Sequence, residues 1–140
     1  MSLVTFEDTN ANITYNGNWY VSTDSGYTAS SAHSTFSAAA TAAFNFTGTG
    51  LQIGSDTYTN KANNIIATID GVDYAFSEYG SAAYQQIVFS KTGLIDTEHT
   101  CILSCPGLGS GLSWLIDFLQ VTGTILPYNS LKNSRRRTVL

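Results

Sequence analysis

Hydrophobic and polar positions alternate along one segment near the middle of the chain. From Thr35 to Thr47 the even positions hold Phe or Ala, and most odd positions hold Ser, Thr or Asn. A strand places successive side chains on opposite faces, whereas a helix repeats about every 3.6 residues. The pattern therefore predicts a long, half-buried strand over 35–47, with its Phe and Ala side chains in the core.

Shorter segments of the same kind recur along the rest of the chain. They predict further strands at 3–6, 12–15, 19–22, 51–54, 64–69, 72–76, 84–89, 99–105 and 115–122. Asp70-Gly71 separates two of these segments and predicts a two-residue hairpin, because both turn residues need a positive φ. About ten short strands divided by turn residues predict an all-β, two-sheet antiparallel β-sandwich.

The composition agrees with one turn-rich domain. The 140 residues suit a single domain with its own core. Only 11% of them are charged, whereas 43% are hydrophobic and 12% aromatic, which is too apolar for a disordered chain. No stretch approaches the roughly 18 apolar residues of a membrane-spanning helix. We therefore expect a sandwich over residues 1–123, a short C-terminal extension over 124–140, and no membrane span.

Charge is distributed unevenly between the body of the chain and its end. The formal net charge is −4, but residues 1–131 carry all ten acidic residues and only two of the basic ones, a net charge of −8. Such a body would repel phosphates, so we expect no nucleic acid partner. The extension contains Arg135, Arg136 and Arg137. We expect these arginines to bind an acidic surface of their own domain or of a neighbouring subunit, and a merely solubilising tail is the alternative.

The two cysteines, Cys101 and Cys105, are spaced too widely for a disulfide within one strand. That spacing is about 13 Å along a strand, against ~5.5 Å between the Cα atoms of a disulfide. We expect buried free thiols and synthesis in a reducing cytosol. The first residues lack the basic and apolar stretches of a signal peptide. The expected location is a virion, or the outside or surface of a cell.

An ordered series of short motifs extends over residues 4–122. It consists of ITYNGNW at 13–19, FNFTGTGLQIG at 44–54, IDG at 69–71, QQIVFS at 85–90, GL at 93–94, HT at 99–100 and IDF at 116–118. In this order the motifs resemble the galactose-binding-like jelly-roll sandwich of non-catalytic carbohydrate-binding modules and related surface and virion proteins. The resemblance implies a jelly roll, but it leaves the ligand open, since this fold also hosts protein binders and structural domains.

The resemblance also implies a structural calcium ion, which many members hold between the first and last strands. The matching positions here are Glu7 or Asp8 and Asp117. Calcium takes about six to eight oxygen ligands, so loop carbonyls would have to complete the set. The alternative is that Asp117 accepts hydrogen bonds from loop N–H groups. The resemblance further implies that Trp19 closes one end of the core, with a ligand platform as the alternative.

Loop aromatics beside polar side chains are the candidates for a sugar site. Aromatic rings cover the C–H faces of sugars, and carboxylates and amides bind the hydroxyl groups. The candidate ligand-binding residues are Tyr27, Tyr58, Tyr79 and Trp114, of which Tyr58 and Trp114 are expected to be exposed because each follows a turn. The alternative is that these rings close the ends of the sandwich.

Catalytic patterns are weak. Glycoside hydrolysis needs two acids that face each other across a cleft, whereas pairs such as Asp70 and Asp73 fall in turns or loops. The chain has no G-x-S-x-G nucleophile elbow. His33 and His99 are expected to be ordinary hydrogen-bonded residues. We therefore expect no catalytic residues.

These observations favour a non-catalytic carbohydrate-binding or adhesion module, displayed on a particle or cell surface and bound to a glycan or surface polysaccharide. The alternative is a structural or decoration protein of a viral particle, such as a phage, anchored through its C-terminal tail. Aromatics that converge on one edge would favour the first function. A cleft that holds two acids would instead favour an enzyme.

Overall fold

The structure, a computed structural model, describes residues 2–130. The predicted partner-binding residues Arg135, Arg136 and Arg137 lie outside this range. Within it, the chain forms thirteen strands and one short 3₁₀ turn, Thr28–Ser30. No helix in the described part of the chain is long and apolar enough to cross a membrane.

The strands pair antiparallel in three sheets. The first sheet has the order β1-β12-β6-β9 and consists of β1 (Val4–Glu7), β6 (Leu51–Thr57), β9 (Ala83–Lys91) and β12 (Phe118–Val121). The second has the order β13-β5-β10-β7-β8, with β2 also paired to β5, and consists of β2 (Thr14–Asn16), β5 (Thr41–Gly48), β7 (Ile65–Ile69), β8 (Val72–Phe76), β10 (Thr97–Ser104) and β13 (Ile125–Leu126). The third has the order β11-β4-β3 and consists of β3 (Tyr20–Thr23), β4 (Ser31–Thr35) and β11 (Trp114–Ile116).

The core lies between the two larger sheets. Ile53 and Leu119 of the first sheet, and Phe44 and Leu103 of the second, are fully buried in one hydrophobic cluster. Each such side chain contributes about 1.5–3 kcal/mol through removal of its apolar surface from water. The predicted all-β sandwich is confirmed, and the third sheet adds Trp114 to the same core.

The long strand predicted over 35–47 begins only at Thr41. In β5 the even positions Ala42, Phe44 and Phe46 are fully buried, as predicted. The strand is not half-buried, however, because Ala43 and Asn45 on its other face are buried as well. The preceding residues form a turn, in which the Ala40 N–H donates to the Ser37 carbonyl at 3.2 Å. The prediction is wrong for Phe36, which is 60% exposed. The alternating pattern shows only that apolar residues occupy even positions. It cannot reveal a turn after which the apolar residues again fall at even positions.

Local turn chemistry predicted the hairpin correctly. Asp70 and Gly71 both have positive φ, 51° and 82°, and join β7 to β8. The strand predicted over 115–122 is instead divided at Asp117, because β11 pairs with β4 whereas β12 pairs with β1 and β6. Strand β4 was not predicted. In the predicted extension, Ile125–Leu126 adds a strand to β5.

The two cysteines are buried and free, as predicted. Cys101 belongs to β10, and the Cys105 thiol lies 3.3 Å from the side-chain oxygen of Asn64.

Candidate functional site

An open cleft of about 250 Å³ lies at the end of β6, between this strand and the start of β9. We call it the tyrosine cleft; it is lined by Asp56, Thr57, Tyr58, Ala82, Ala83 and Tyr84. The pairing of β6 with β9 shifts its register between Ser55 and Thr57. Bulges of this kind bend a strand and redirect its side chains, which makes room for the cleft.

Tyr84 forms an exposed aromatic wall of the tyrosine cleft. Its residue is 48% exposed, and its ring lies against Gly26, where an added Cβ would come within 2.5 Å of the ring carbons. The Tyr27 ring packs edge-on against it, with the centroids 5.2 Å apart. The next residue, Gln85, has φ 53°, and its Nε2 donates to the Gly26 carbonyl at 3.0 Å. A positive φ is unfavourable for a residue with a side chain, so these contacts hold a strained backbone in place.

Asp56 is the acidic group of the cleft, and two donors hold its carboxylate. The Tyr27 hydroxyl donates to Oδ2 at 3.1 Å, and Lys61 Nζ lies 2.8 Å from Oδ1. Lys61 is only 7% exposed, so this ion pair is largely shielded from water. Burial, followed by the negative charge of Asp56, raises the pKa of the Tyr27 phenol, which therefore stays protonated as a donor.

A second acid near Asp56, Glu78, is enclosed by protein. Glu78 is fully buried, and its Oε1 accepts a hydrogen bond from the Leu115 N–H at 2.9 Å. Burial raises its pKa well above the ordinary value; Lys61 and the Leu115 N–H act in the opposite direction, and Asp56 raises it further. Of these two acids, only Asp56 lines the cleft.

Asp8, one of the residues predicted to hold calcium, belongs to a separate cluster with His33. Asp8 is fully buried, and its Oδ2 accepts a hydrogen bond from Ser31 Oγ at 3.0 Å and lies 2.8 Å from His33 Nδ1. The Tyr15 ring stacks on the His33 ring with the centroids 3.8 Å apart, and the Tyr15 hydroxyl donates to the Asp8 carbonyl. This network fixes the end of β1 against β4.

Asp117 occupies the point where the chain passes from β11 to β12. Its two carboxylate oxygens accept hydrogen bonds from the Thr28 N–H at 3.0 and 3.2 Å, which confirms the predicted alternative for this residue. Burial raises the Asp117 pKa to about 7; the Thr28 N–H lowers it, and the nearby Glu7 and Asp8 raise it. The hydrogen bonds anchor the turn that follows Tyr27 and thereby support one side of the cleft.

Glu7, Asp8 and Asp117, the residues predicted to hold calcium, lie near one another, since the Asp8 N–H donates to the Asp117 carbonyl at 3.3 Å and both Glu7 and Asp8 raise the pKa of Asp117. Glu7 Oε1 and Asp8 Oδ1 are buried oxygens without a hydrogen-bond partner in the described chain. Within residues 2–130, no group of three or more His, Cys, Asp or Glu residues is placed to hold a metal ion. Both oxygens of Asp117 and one oxygen of Asp8 are already engaged by protein donors. Calcium needs about six to eight oxygens. The calcium ion stays a prediction.

Three of the four predicted ligand-binding residues lie in or beside the tyrosine cleft. Tyr58, 49% exposed as expected, lines it. Tyr79 is 59% exposed, and its backbone pairs with that of Tyr58. Tyr27 borders the cleft through Asp56 and Tyr84.

The exposure expected for Trp114 is wrong. Trp114 is fully buried and packs edge-on against Trp19, with the ring centroids 5.0 Å apart. The physical reason is that the preceding turn ends before β11, whose pairing with β4 carries Trp114 into the core. Trp19 is itself packed against the core cluster, as the resemblance implied. Sequence reasoning missed Tyr84, because its role depends on Gly26, which is distant in the sequence.

Comparison with known proteins identifies the fold. Neither the protein-family models nor the curated proteins include a match. Among solved structures, a family two carbohydrate esterase from Cellvibrio japonicus superposes with a TM-score of 0.68 at 15% identity, over 91% of this chain and 36% of that one. The fold is a galactose-binding-like β-sandwich.

Other proteins with this fold differ in activity. An exo-beta-1,3-galactanase from Phanerochaete chrysosporium matches with a TM-score of 0.61 at 14% identity, over 86% of this chain and 29% of that one. The salicylyl-acyltransferase SsfX3 from a tetracycline biosynthetic pathway matches with a TM-score of 0.64 at 10% identity, over 89% of this chain and 41% of that one. This chain thus spans less than half the length of each of these proteins, and identities this low show the fold alone.

Proposed function

We propose that this chain is a non-catalytic carbohydrate-binding module and that the tyrosine cleft is its binding site. The observation that carries the proposal is the convergence of two exposed rings, Tyr58 and Tyr84, with the carboxylate of Asp56 around one cleft. Rings and a fixed acceptor are the two components that sugar recognition needs. The volume of about 250 Å³ lies below the roughly 300 Å³ of the smallest typical ligand pockets, which suits a single sugar ring.

Asp56 keeps acceptor capacity for a sugar hydroxyl. Asp56 Oδ1 is buried beside Lys61, whereas Oδ2 has one protein donor, the Tyr27 hydroxyl. A carboxylate oxygen can accept about two hydrogen bonds, so Oδ2 is the oxygen that can bind a sugar hydroxyl. The same partners prevent the carboxylate from rotating. A site that is rigid before binding loses less conformational entropy when the ligand arrives, which raises affinity.

The arrangement of acids supports binding without catalysis. Asp56 is the one acid among the residues that line the tyrosine cleft, whereas glycoside hydrolysis needs a pair. Glu78 has no exposed surface from which it can contact a bound sugar.

The names of proteins that share the fold also support a sugar ligand. The galactanase structure contains galactose, and the structure of a family two carbohydrate esterase from Clostridium thermocellum is a complex with cellohexaose. We propose by analogy that this module is displayed on the surface of a cell or particle, where it would adhere to a glycan or surface polysaccharide.

A glycan array tests the proposal. The purified chain and its Tyr58→Ala and Tyr84→Ala variants would be compared, with Tyr20→Ala as the matched control, because Tyr20 is 59% exposed but belongs to β3. We expect selective binding by the wild-type chain and by the control, and a loss of about tenfold or more in the two cleft variants. Binding that survives in both cleft variants, or no binding by the folded wild-type chain, would overturn the proposal.

A structural role in a viral or phage particle is the second candidate function. It is supported by an exposed apolar patch formed by Tyr20 and Phe36, which are 59% and 60% exposed and whose ring centroids lie 6.3 Å apart. The patch lies on and beside β3, an edge strand whose partner among the described strands is β4. Unpaired strand edges and apolar patches are surfaces on which protein partners dock.

Sedimentation of the full chain tests this second candidate. Replacing Arg135, Arg136 and Arg137 together with Ala should weaken assembly with an acidic neighbouring surface, while the melting temperature changes little. Val21→Lys should also weaken assembly, because it places a charge on the edge strand β3. If the wild-type chain stays monomeric at all concentrations tested and neither change alters its sedimentation, the structural role is contradicted.

A further inference from the structure

We propose that the tyrosine cleft selects a sugar that carries a free amino group, such as a terminal glucosamine residue, over neutral and acidic sugars. The inference rests on the proposed function, because it concerns the ligand of the same site. It follows from the exposed Asp24 carboxylate, which the Gly26 N–H holds at the point where the Tyr84 ring packs, and from the Asp56–Lys61 ion pair within the cleft.

Two acids lie near the Tyr84 ring. Asp56 lines the cleft itself. Asp24, which is exposed, begins the turn that carries Gly26. Its Oδ1 accepts a hydrogen bond from the Gly26 N–H at 2.9 Å, and the Tyr84 ring packs against that glycine. A group placed on the Tyr84 ring would therefore lie near the exposed Asp24 carboxylate and the Asp56–Lys61 ion pair.

Of the lysines in the described chain, Lys61 offsets the charge of Asp56, and neither forms an ion pair with Asp24. Residues 2–130 contain two of them, Lys61 and Lys91. Lys61 is buried and paired with Asp56, and Lys91 lies over the Tyr74 ring, 5.2 Å from its centroid. An arriving ligand therefore meets the Asp24 carboxylate and the tyrosine rings rather than an ammonium group.

Nearby carboxylates raise the pKa of both phenols at the cleft, Tyr84 and Tyr27. The charge of Asp24 is the largest cause that raises the pKa of the Tyr84 phenol, and Asp56 adds to it. Both acids also raise the pKa of Tyr27, after burial. A field that disfavours a phenolate favours an ammonium at the same place, and an ammonium over a tyrosine face gains a cation–π interaction of about 0.5–2 kcal/mol. A uronic acid would be repelled there.

Calorimetric titration with matched trisaccharides tests the inference. The ligands are the glucosamine trimer, its N-acetylated form and the galacturonic acid trimer, in mildly acidic buffer at low and high salt. We expect the glucosamine trimer to bind about tenfold more tightly than the N-acetylated trimer, and the acidic trimer not to bind. Asp24→Asn should reduce this preference about fivefold. Asp73→Asn, a change of another exposed acid in the β7–β8 hairpin, should leave it unchanged.

The possible outcomes separate this inference from the proposed function. Equal binding of the charged and N-acetylated trimers, with loss of both in Tyr84→Ala, would overturn the amino-sugar preference and leave the carbohydrate site intact. Binding of the glucosamine trimer that persists in Tyr84→Ala and disappears at high salt would show general attraction to the acidic body, and would also overturn the inference. No binding of any trimer or arrayed glycan would overturn both.

Discussion

The ring of Tyr84 lies directly against Gly26, and the two residues fix each other. A Cβ on Gly26 would come within 2.5 Å of Tyr84 Cδ2 and Cε2. The Gly26 N–H donates to Asp24 Oδ1, and its carbonyl accepts a hydrogen bond from Gln85 Nε2 at 3.0 Å. The aromatic wall of the tyrosine cleft therefore depends on the absence of a side chain at one position of a neighbouring turn.

Gly26→Ala should displace Tyr84 and weaken sugar binding about tenfold, because a methyl group would occupy the space of the ring. The matched control is Gly80→Ala, whose Cβ would meet Thr57 at an ordinary distance of 3.6 Å. Calorimetric titration measures both variants, and melting curves show whether they remain folded. Unchanged affinity in Gly26→Ala would show that the position of Tyr84 does not matter for binding.

The stability of the domain should decrease as pH rises from about 4 to 8. Burial raises the pKa of Asp117 from 3.8 to about 7, and it also raises the pKa of Glu78 and Glu7. The folded chain therefore holds protons that the unfolded chain has released in this interval. Stability falls with pH wherever the folded state binds more protons, so the contribution of Asp117 is lost between these two values.

His99 extends this dependence to higher pH. Its Nδ1 lies 2.5 Å from Asp70 Oδ2, and its Nε2 lies 2.7 Å from the Ile95 carbonyl, so both ring nitrogens face acceptors. Burial lowers the pKa of His99, but the hydrogen bonds to Asp70 and Ile95 outweigh it and raise the pKa above 6.5. The protonated ring stabilises the fold below that value, and this contribution is lost as pH rises through the raised pKa.

Melting curves across this pH range check the prediction. The wild-type melting temperature should be several degrees higher near pH 5 than near pH 8. Asp117→Asn, which cannot titrate, should show a smaller change across the same range. A melting temperature that rises steadily from pH 5 to 8 would contradict the assignment of raised pKa values.

Phe44→Ala should destabilise the domain by roughly 3–5 kcal/mol, since it removes a fully buried ring from the centre of β5. Phe36→Ala is the control, because Phe36 is 60% exposed and its loss should cost less than about 1 kcal/mol. Urea unfolding monitored by fluorescence gives both values. A loss below about 1 kcal/mol for Phe44 would show that β5 does not face the core.

Local signals predicted the parts of the fold that depend on local chemistry. The hairpin at Asp70-Gly71 follows from the positive φ of two residues, and the buried face of β5 follows from its alternation. The failure at Phe36 arose because a turn preserved the parity of the apolar residues. The division of the last long segment at Asp117 is a property of sheet pairing, which no neighbouring residue specifies.

The candidate site was predictable only in part for the same reason. Tyr58 was predicted to be exposed because a turn would precede it; it is exposed, but it directly follows β6 and the turn comes after it. Trp114 has a similar local context but enters the core through its pairing with β4. Tyr84 forms a wall of the tyrosine cleft because β9 places its ring against Gly26. These two residues lie far apart in the chain, so local sequence does not predict the contact.

Calcium should have little effect on the stability of the domain if Asp8 and Asp117 act as the hydrogen-bonded groups that the structure shows. Melting curves recorded with calcium and with a chelator would then differ by no more than about 2 °C. A rise well above that with calcium, absent in Asp117→Asn, would show that Glu7, Asp8 and Asp117 rearrange to hold the ion. An ion that binds only the folded state stabilises it by mass action.

The most direct test of the carbohydrate-binding account maps the contact surface in solution. The ¹⁵N-labelled chain would be titrated with the oligosaccharide that binds best on the array, and backbone amide shifts would be followed. The account predicts that the largest shifts occur at residues 56–58 and 82–84 and at the turn around Gly26. Shifts centred on the exposed patch at Tyr20 and Phe36, or none with any oligosaccharide, would contradict it.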